Sequence, residues 1–167
     1  IALSLFQLYA AGVQPLGLFF QRPIHLGFVL VLCFLIYPVF GQNRARGALG
    51  WAIDGGLIIC AVLVGGWVPI NIDIIANAIF PRQIDIFVGI VTTLIVLEGA
   101  RRAVGLGMTS IGATFIVYAF AGSRGELPFF ADWMPGILNH RGYSLDRLGS
   151  QLTLGAEGIF GLPLGVA

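Results

Sequence analysis

Lysine is absent from this sequence. Nine arginines carry all of its fixed positive charge, against eight aspartates and glutamates, for a formal net charge of +1. Charged residues make up only 10% of the chain, where an ordinary soluble domain carries about 25%. A water-soluble surface is hard to build from so little charge. The arginines stand singly or in pairs, never as a basic stripe, which excludes a nucleic-acid partner. Cysteine is equally scarce: Cys33 and Cys60 each lie in the middle of an apolar run. With no CxxC or Cys/His zinc spacing, they read as small buried hydrophobes. His25 and His140 have no partner at metal-ligand spacing, so no metal site is expected. The P-loop, HExxH, GxSxG and GxGxxG signatures are all missing. No enzyme and no cofactor is visible. The first apolar run also lacks the basic n-region and small-residue cleavage site of a cleavable signal peptide.

What is present is apolar surface, 57% of the residues. The organising stretch is residues 84–104, IDIFVGIVTTLIVLEGARRAV. At 1.5 Å per residue it crosses a hydrocarbon core of about 30 Å as one helix. Asp85 marks one water-facing end and Arg101-Arg102 the other. Further runs flank it, so the sequence predicts an all-α, polytopic transmembrane bundle of about five spans plus an interfacial segment. The chain starts without Met inside one apolar run and ends inside another, and is read as part of a longer membrane protein.

In chain order, residues 1–20 form a first apolar run, interrupted by Gln7, Gln14 and Pro15, which kinks the run without forbidding a span. Gln21-Arg22-Pro23 breaks it, and Pro23 suits the first turn of a new helix. Residues 24–40 are a second span, entered through His25 and closed by Tyr37-Pro38. A loop at 41–50 carries Arg44 and Arg46. Residues 51–68 are a third span with Trp51 and Trp67 at its ends, as interfacial aromatics. Residues 69–83 read as a loop, a re-entrant piece or a surface helix, since Asp73 and Asn77 are four apart and can share a face. The fourth span is 84–104, followed by a tight turn at 105–107 and a fifth span at 108–121.

From Gly122 the character changes. Residues 122–150 hold six of the seventeen charged residues, with Phe129, Phe130, Trp133 and Tyr143 among them. Charges mixed with aromatics and two prolines describe a membrane-interface segment. Ser144 is placed to cap a short helix with Leu145, Leu148 and Leu152 on one face. The last residues, GAEGIFGLPLGVA, read as the entry to a broken membrane segment. The loop arginines split four to three, with Arg44, Arg46, Arg101 and Arg102 against Arg22, Arg82 and Arg124. This places the first group, and the N-terminus, on the cytoplasmic side.

Asp54 and Glu98 are the acids nearest the spans, and intramembrane acids raise the question of ion or proton coupling. An aspartyl-protease pair is excluded by the lack of a second acid in a matching context. Glu98 has Arg101 and Arg102 at i+3 and i+4, so an ion pair at the interface accounts for it. Asp54 reads as an interfacial anchor beside Trp51. Gly161 and Gly165 satisfy GxxxG, a helix-packing pattern interrupted here by Pro163. A broken segment near a binding site is the sharper alternative.

Four stretches carry a family resemblance: Gln21-Arg22-Pro23-Ile24-His25-Leu26, Leu97-Glu98-Gly99-Ala100-Arg101-Arg102, Tyr118-Ala119-Phe120-Ala121-Gly122, and Gly158-Ile159-Phe160-Gly161-Leu162-Pro163-Leu164-Gly165. Together they resemble the N-terminal part of fused TRAP transporter permeases, most nearly the TAXI branch. The resemblance implies a multi-pass component of the bacterial inner membrane in a tripartite, ATP-independent secondary transporter. It would import organic acids, delivered by an extracytoplasmic solute-binding protein and driven by sodium. On this reading residues 1–122 are a small-subunit-like stationary scaffold. Residues 123–167 are the connector and the start of the large transport domain. Arg22, His25, Asp54, Glu98, Arg101 and Arg102 are candidate anchoring residues; Gly158, Gly161, Pro163 and Gly165 are the candidate entry to the moving domain. Substrate and sodium would bind on the remainder of the permease chain. Two other classes stay open: a non-transporting membrane anchoring protein, and an intramembrane enzyme using Asp54 or Glu98.

Overall fold

The computed structural model describes residues 1–12, 17–40, 47–77, 82–122, 124–127, 129–130 and 135–147. About 78% of these are helical, and no strand occurs among them. Six helices follow in order: α1 (Ala2–Gly12), α2 (Leu18–Ile36), α3 (Ala48–Ile70), α4 (Ile72–Asn77), α5 (Gln83–Ala103) and α6 (Leu106–Phe120). Two of them, α3 and α5, are long and apolar enough to cross a membrane. Their 23 and 21 residues correspond to about 34 and 31 Å of helix. The apolar stretches Phe20–Ile36 of α2 and Leu106–Phe120 are shorter.

Sequence and structure agree on α5 to within one residue at each end. Elsewhere the boundaries move. The first apolar run is not one helix, because α1 stops at Gly12 and α2 starts at Leu18. Pro23 therefore lies in the second turn of α2, not in the first turn of a separate helix. Its missing N–H forfeits only the bond to the Phe19 carbonyl, a loss that a helix end absorbs more easily than a helix middle. Helix α3 starts three residues before Trp51 and runs past Pro69 to Ile70. Among the described residues of 69–83, one short helix, α4, follows α3 and is entered through Asn71. The turn after α5 is tighter than expected. Val104 and Gly105 make it, Gly105 at φ 102°, with Leu106 already helical. A residue with a Cβ is strained at that φ.

The core is a three-helix packing of α2, α3 and α5. Leu26, Leu30 and Phe34 of α2 meet Ala61, Val64 and Val68 of α3 and Ile95 of α5. Spacings of three and four put each set on one helix face. The buried positions of α5 include Asp85, Gly89, Thr92, Ile95 and Gly99, again one face. Thr92 is fully buried and donates its hydroxyl to the Val88 carbonyl, which keeps a polar atom satisfied in an apolar setting.

Two glycines set the distance between α2 and α3. A Cβ on Gly65 would lie 3.0 Å from the Cα of Gly27 and 3.1 Å from the Pro23 carbonyl oxygen. Backbone meets backbone there, which only glycine permits. Helix α6 packs on α5 and has no buried residue of its own; α1 leans on α2. After α6 the described parts of 122–147 fold back over its C-terminal end.

Candidate functional site

The polar side chains of the bundle gather at its two ends. Helices α3 and α5 run antiparallel, so the start of α3 meets the end of α5. There Glu98 accepts from Arg101 Nε and Nη2, both at 2.7 Å, and from Arg102 Nε at 2.7 Å. Arg102 then reaches across to α3, where its Nη1 donates to Asp54 Oδ1 at 2.6 Å. The same nitrogen donates to the Tyr37 carbonyl at 3.1 Å, and the guanidinium lies 5.0 Å from the Phe34 ring centre. The result is an alternating chain of charge running inward. Side-chain exposure falls from 38% at Arg101 to 26% at Glu98, 3% at Arg102 and zero at Asp54. Two positive and two negative charges cancel, which is what burial in a low-dielectric setting demands.

The opposite end holds a second clamp. Trp67 Nε1 on α3 donates to Asp85 Oδ1 at 2.9 Å, and Arg82 binds the same carboxylate through Nε at 2.8 Å and Nη2 at 3.0 Å. Arg82 also reaches Asn71 Oδ1 at 3.4 Å. The hydrogen bonds from Arg82 to the carboxylate hold the guanidinium further above its ordinary value. Asp85 itself is buried. Along α3 the clamps are thirteen residues apart, Asp54 to Trp67, and along α5 seventeen, Asp85 to Arg102. These spacings equal about 20 and 25 Å. Polar ends at that separation bracket most of a hydrocarbon core of about 30 Å.

A third, smaller group sits near the start of α2, where Gln7 of α1 pairs with His25 Nδ1 and accepts from Gln21 Nε2 at 3.2 Å. His25 thus joins α1 to α2. Arg22 is half-buried on α2. The candidate transport-domain entry, Gly158, Gly161, Pro163 and Gly165, lies outside the described residues, as do Leu148 and Leu152 of the expected short helix.

The structure brings Asp54, Glu98, Arg101 and Arg102 into one network and leaves Arg22 and His25 apart from it. Three relationships escaped sequence reasoning. The Asp54–Arg102 pair spans two helices; its signal was an acid early in one span and an arginine late in the next antiparallel one. Trp67 and Asp85 carry the mirror of that signal at the other end. Gly27 stands alone within an apolar run, where an isolated glycine has a packing reason, and Gly65 opens a Gly65-Gly66 pair within another.

No group of three or more metal-ligating side chains occurs among the described residues. A groove of about 340 Å³ lies on the α2–α3 face, lined by Ile24, Gly27, Phe28, Val31, Val62 and Gly65. It offers no charged or hydrogen-bonding side chain. No family model, no curated protein and no solved structure matches this chain.

Proposed function

We propose that the chain is the scaffold part of a membrane permease in a TRAP-type secondary transporter, of the branch whose two membrane subunits are fused. The observation that supports this best is the placement of charge. Acids and arginines are paired off at the two ends of the α3–α5 pair, and the stretch between them is closed by apolar packing and a glycine contact. Among its described residues that body holds no group of three or more metal-ligating side chains. It suits a stationary element against which another domain moves. The resemblance adds the substrate class, organic acids, and the partners: an extracytoplasmic solute-binding protein, a downstream transport domain and the lipid bilayer. Within that reading α1 and α2 account for the first two of about five spans, in the bacterial inner membrane, and sodium is held elsewhere in the permease.

Uptake of labelled organic acids into vesicles containing the whole permease tests the proposal. Uptake is expected only with both a binding protein and an inward sodium gradient. Uptake that persists without either one refutes it. A second reading, a membrane anchoring protein, is favoured by the same apolar bundle. It predicts no uptake under any condition, with normal insertion. The enzyme reading is disfavoured because both of its candidate carboxylates are engaged by arginine.

A further inference from the structure

The segment after α6 is a strap tied to the end of that helix. Tyr118 donates its hydroxyl to the Leu138 carbonyl at 2.9 Å, and the His140 ring stacks on Tyr118 at 4.3 Å. The Tyr143 N–H donates to the Ala119 carbonyl at 2.9 Å, satisfying an acceptor that the helix end leaves open. Leu127 N–H does the same for Phe120 at 3.1 Å. Gly122 and Gly142 meet backbone to backbone, and a Cβ on either would collide with the other. Gly142 holds φ 72°, which favours glycine on its own account.

This well-tied strap nevertheless turns large apolar side chains outward. Ile137 is 98% exposed, and Leu138, Phe129 and Phe130 are exposed as well. They sit beside the end of α6, whose own Phe115 and Val117 face outward. The strap therefore shares one apolar surface with the C-terminal end of α6. Arg124 and Arg141 are both exposed and are joined through backbone, Arg124 N–H to the Arg141 carbonyl at 2.8 Å. Their side chains start from neighbouring points. Glu126 is engaged by the Leu145 N–H at 3.1 Å, and Asp146 is the other exposed acid of the described strap.

Resting on the membrane reading above, we infer that the strap is a lipid-docking surface. Its Ile137–Leu138 edge inserts into the headgroup–acyl boundary of one leaflet, with Arg124 and Arg141 reaching phosphate oxygens. An apolar edge flanked by arginine is the composition of interfacial anchors. The occupant is the phospholipid layer itself.

A nitroxide on Ile137→Cys, in the intact chain with Cys33→Ala and Cys60→Ala, tests this in vesicles of phosphatidylcholine and phosphatidylglycerol. So exposed a side chain can carry the label without disturbing the strap. A second label at Phe115→Cys on α6 serves as the reference. Dissolved oxygen is expected to collide with both labels more often than a water-soluble nickel chelate does. If residue 137 meets the nickel chelate more often while residue 115 still favours oxygen, the strap faces water and the inference fails. If both collisions are suppressed at residue 137, protein covers it, and the inference fails again. A reference label that favours nickel overturns the membrane reading itself, and with it the inference.

Discussion

Arg102 reaches Asp54 across 48 residues of sequence, Nη1 to Oδ1 at 2.6 Å, with both side chains out of contact with solvent. Neither charge is tolerable there alone. Arg102→Met is expected to cost about 3–5 kcal/mol, the usual penalty for stranding one partner of a buried pair. Arg102→Met with Asp54→Leu is expected to recover most of that loss, because two apolar side chains of similar volume leave no buried charge unpaired between α3 and α5. Glu98 keeps its bidentate Arg101 throughout. Reversible unfolding of the four proteins of this cycle in micelles measures the coupling.

Gly65 and Gly56 lie on the same helix and predict opposite outcomes. A Cβ on Gly65 runs into the backbone of α2 at 3.0 Å, whereas one on Gly56 meets nothing within 4 Å. Gly65→Ala is expected to destabilise by about 1–3 kcal/mol through overpacking. Gly56→Ala is expected to be neutral or to stabilise by about 0.4–1 kcal/mol, through reduced freedom of the unfolded chain. Equal effects in the same unfolding assay would show that α2 and α3 do not cross at Gly27–Gly65.

These two cases show where the sequence was legible. Helix α5 was readable almost to the residue, because Asp85 and Arg101-Arg102 lie near the two ends of a 21-residue apolar stretch that is uncharged from Ile86 to Leu97. The local pairing of Glu98 with its two arginines was readable from i+3 and i+4 spacing. The Asp54–Arg102 and Trp67–Asp85 contacts were not. They depend on the register of two antiparallel helices, which no single-helix period encodes. The first run misled because Gln14 and Pro15 read as a kink within one span, whereas α1 ends at Gly12 and α2 begins at Leu18.

Trp67 gives the second clamp its interhelical half, since Arg82 and Asp85 share α5 and its N-cap. Trp67→Phe keeps the ring and removes the donor. A hydrogen bond to a buried charged acceptor contributes about 1.5–3 kcal/mol, so a loss in that range is expected. Arg82→Gln should cost less than a fully buried pair, because about a third of the Arg82 side chain is exposed. Because both donors meet one carboxylate, the double variant is expected to be non-additive by about 0.5–3 kcal/mol.

The charge network also predicts what Asp54 does not do. A sodium or proton site needs a carboxylate with no resident cation. Here the Arg102 guanidinium binds both Asp54 and Glu98, and Glu98 already accepts three hydrogen bonds from arginine. The Arg102 guanidinium stands against Asp54 Oδ1, where a coupling cation would otherwise bind. Asp54→Asn is therefore expected to lower stability by about 1–3 kcal/mol and, on the transporter proposal, to leave any sodium dependence of uptake unchanged per folded molecule. Glu98→Gln is expected to behave alike, with Arg101 released. Uptake measured against the amount of folded protein separates stability from coupling. If either variant is fully folded yet loses sodium-driven uptake, the carboxylate belongs to the coupling machinery and the bundle is no passive scaffold.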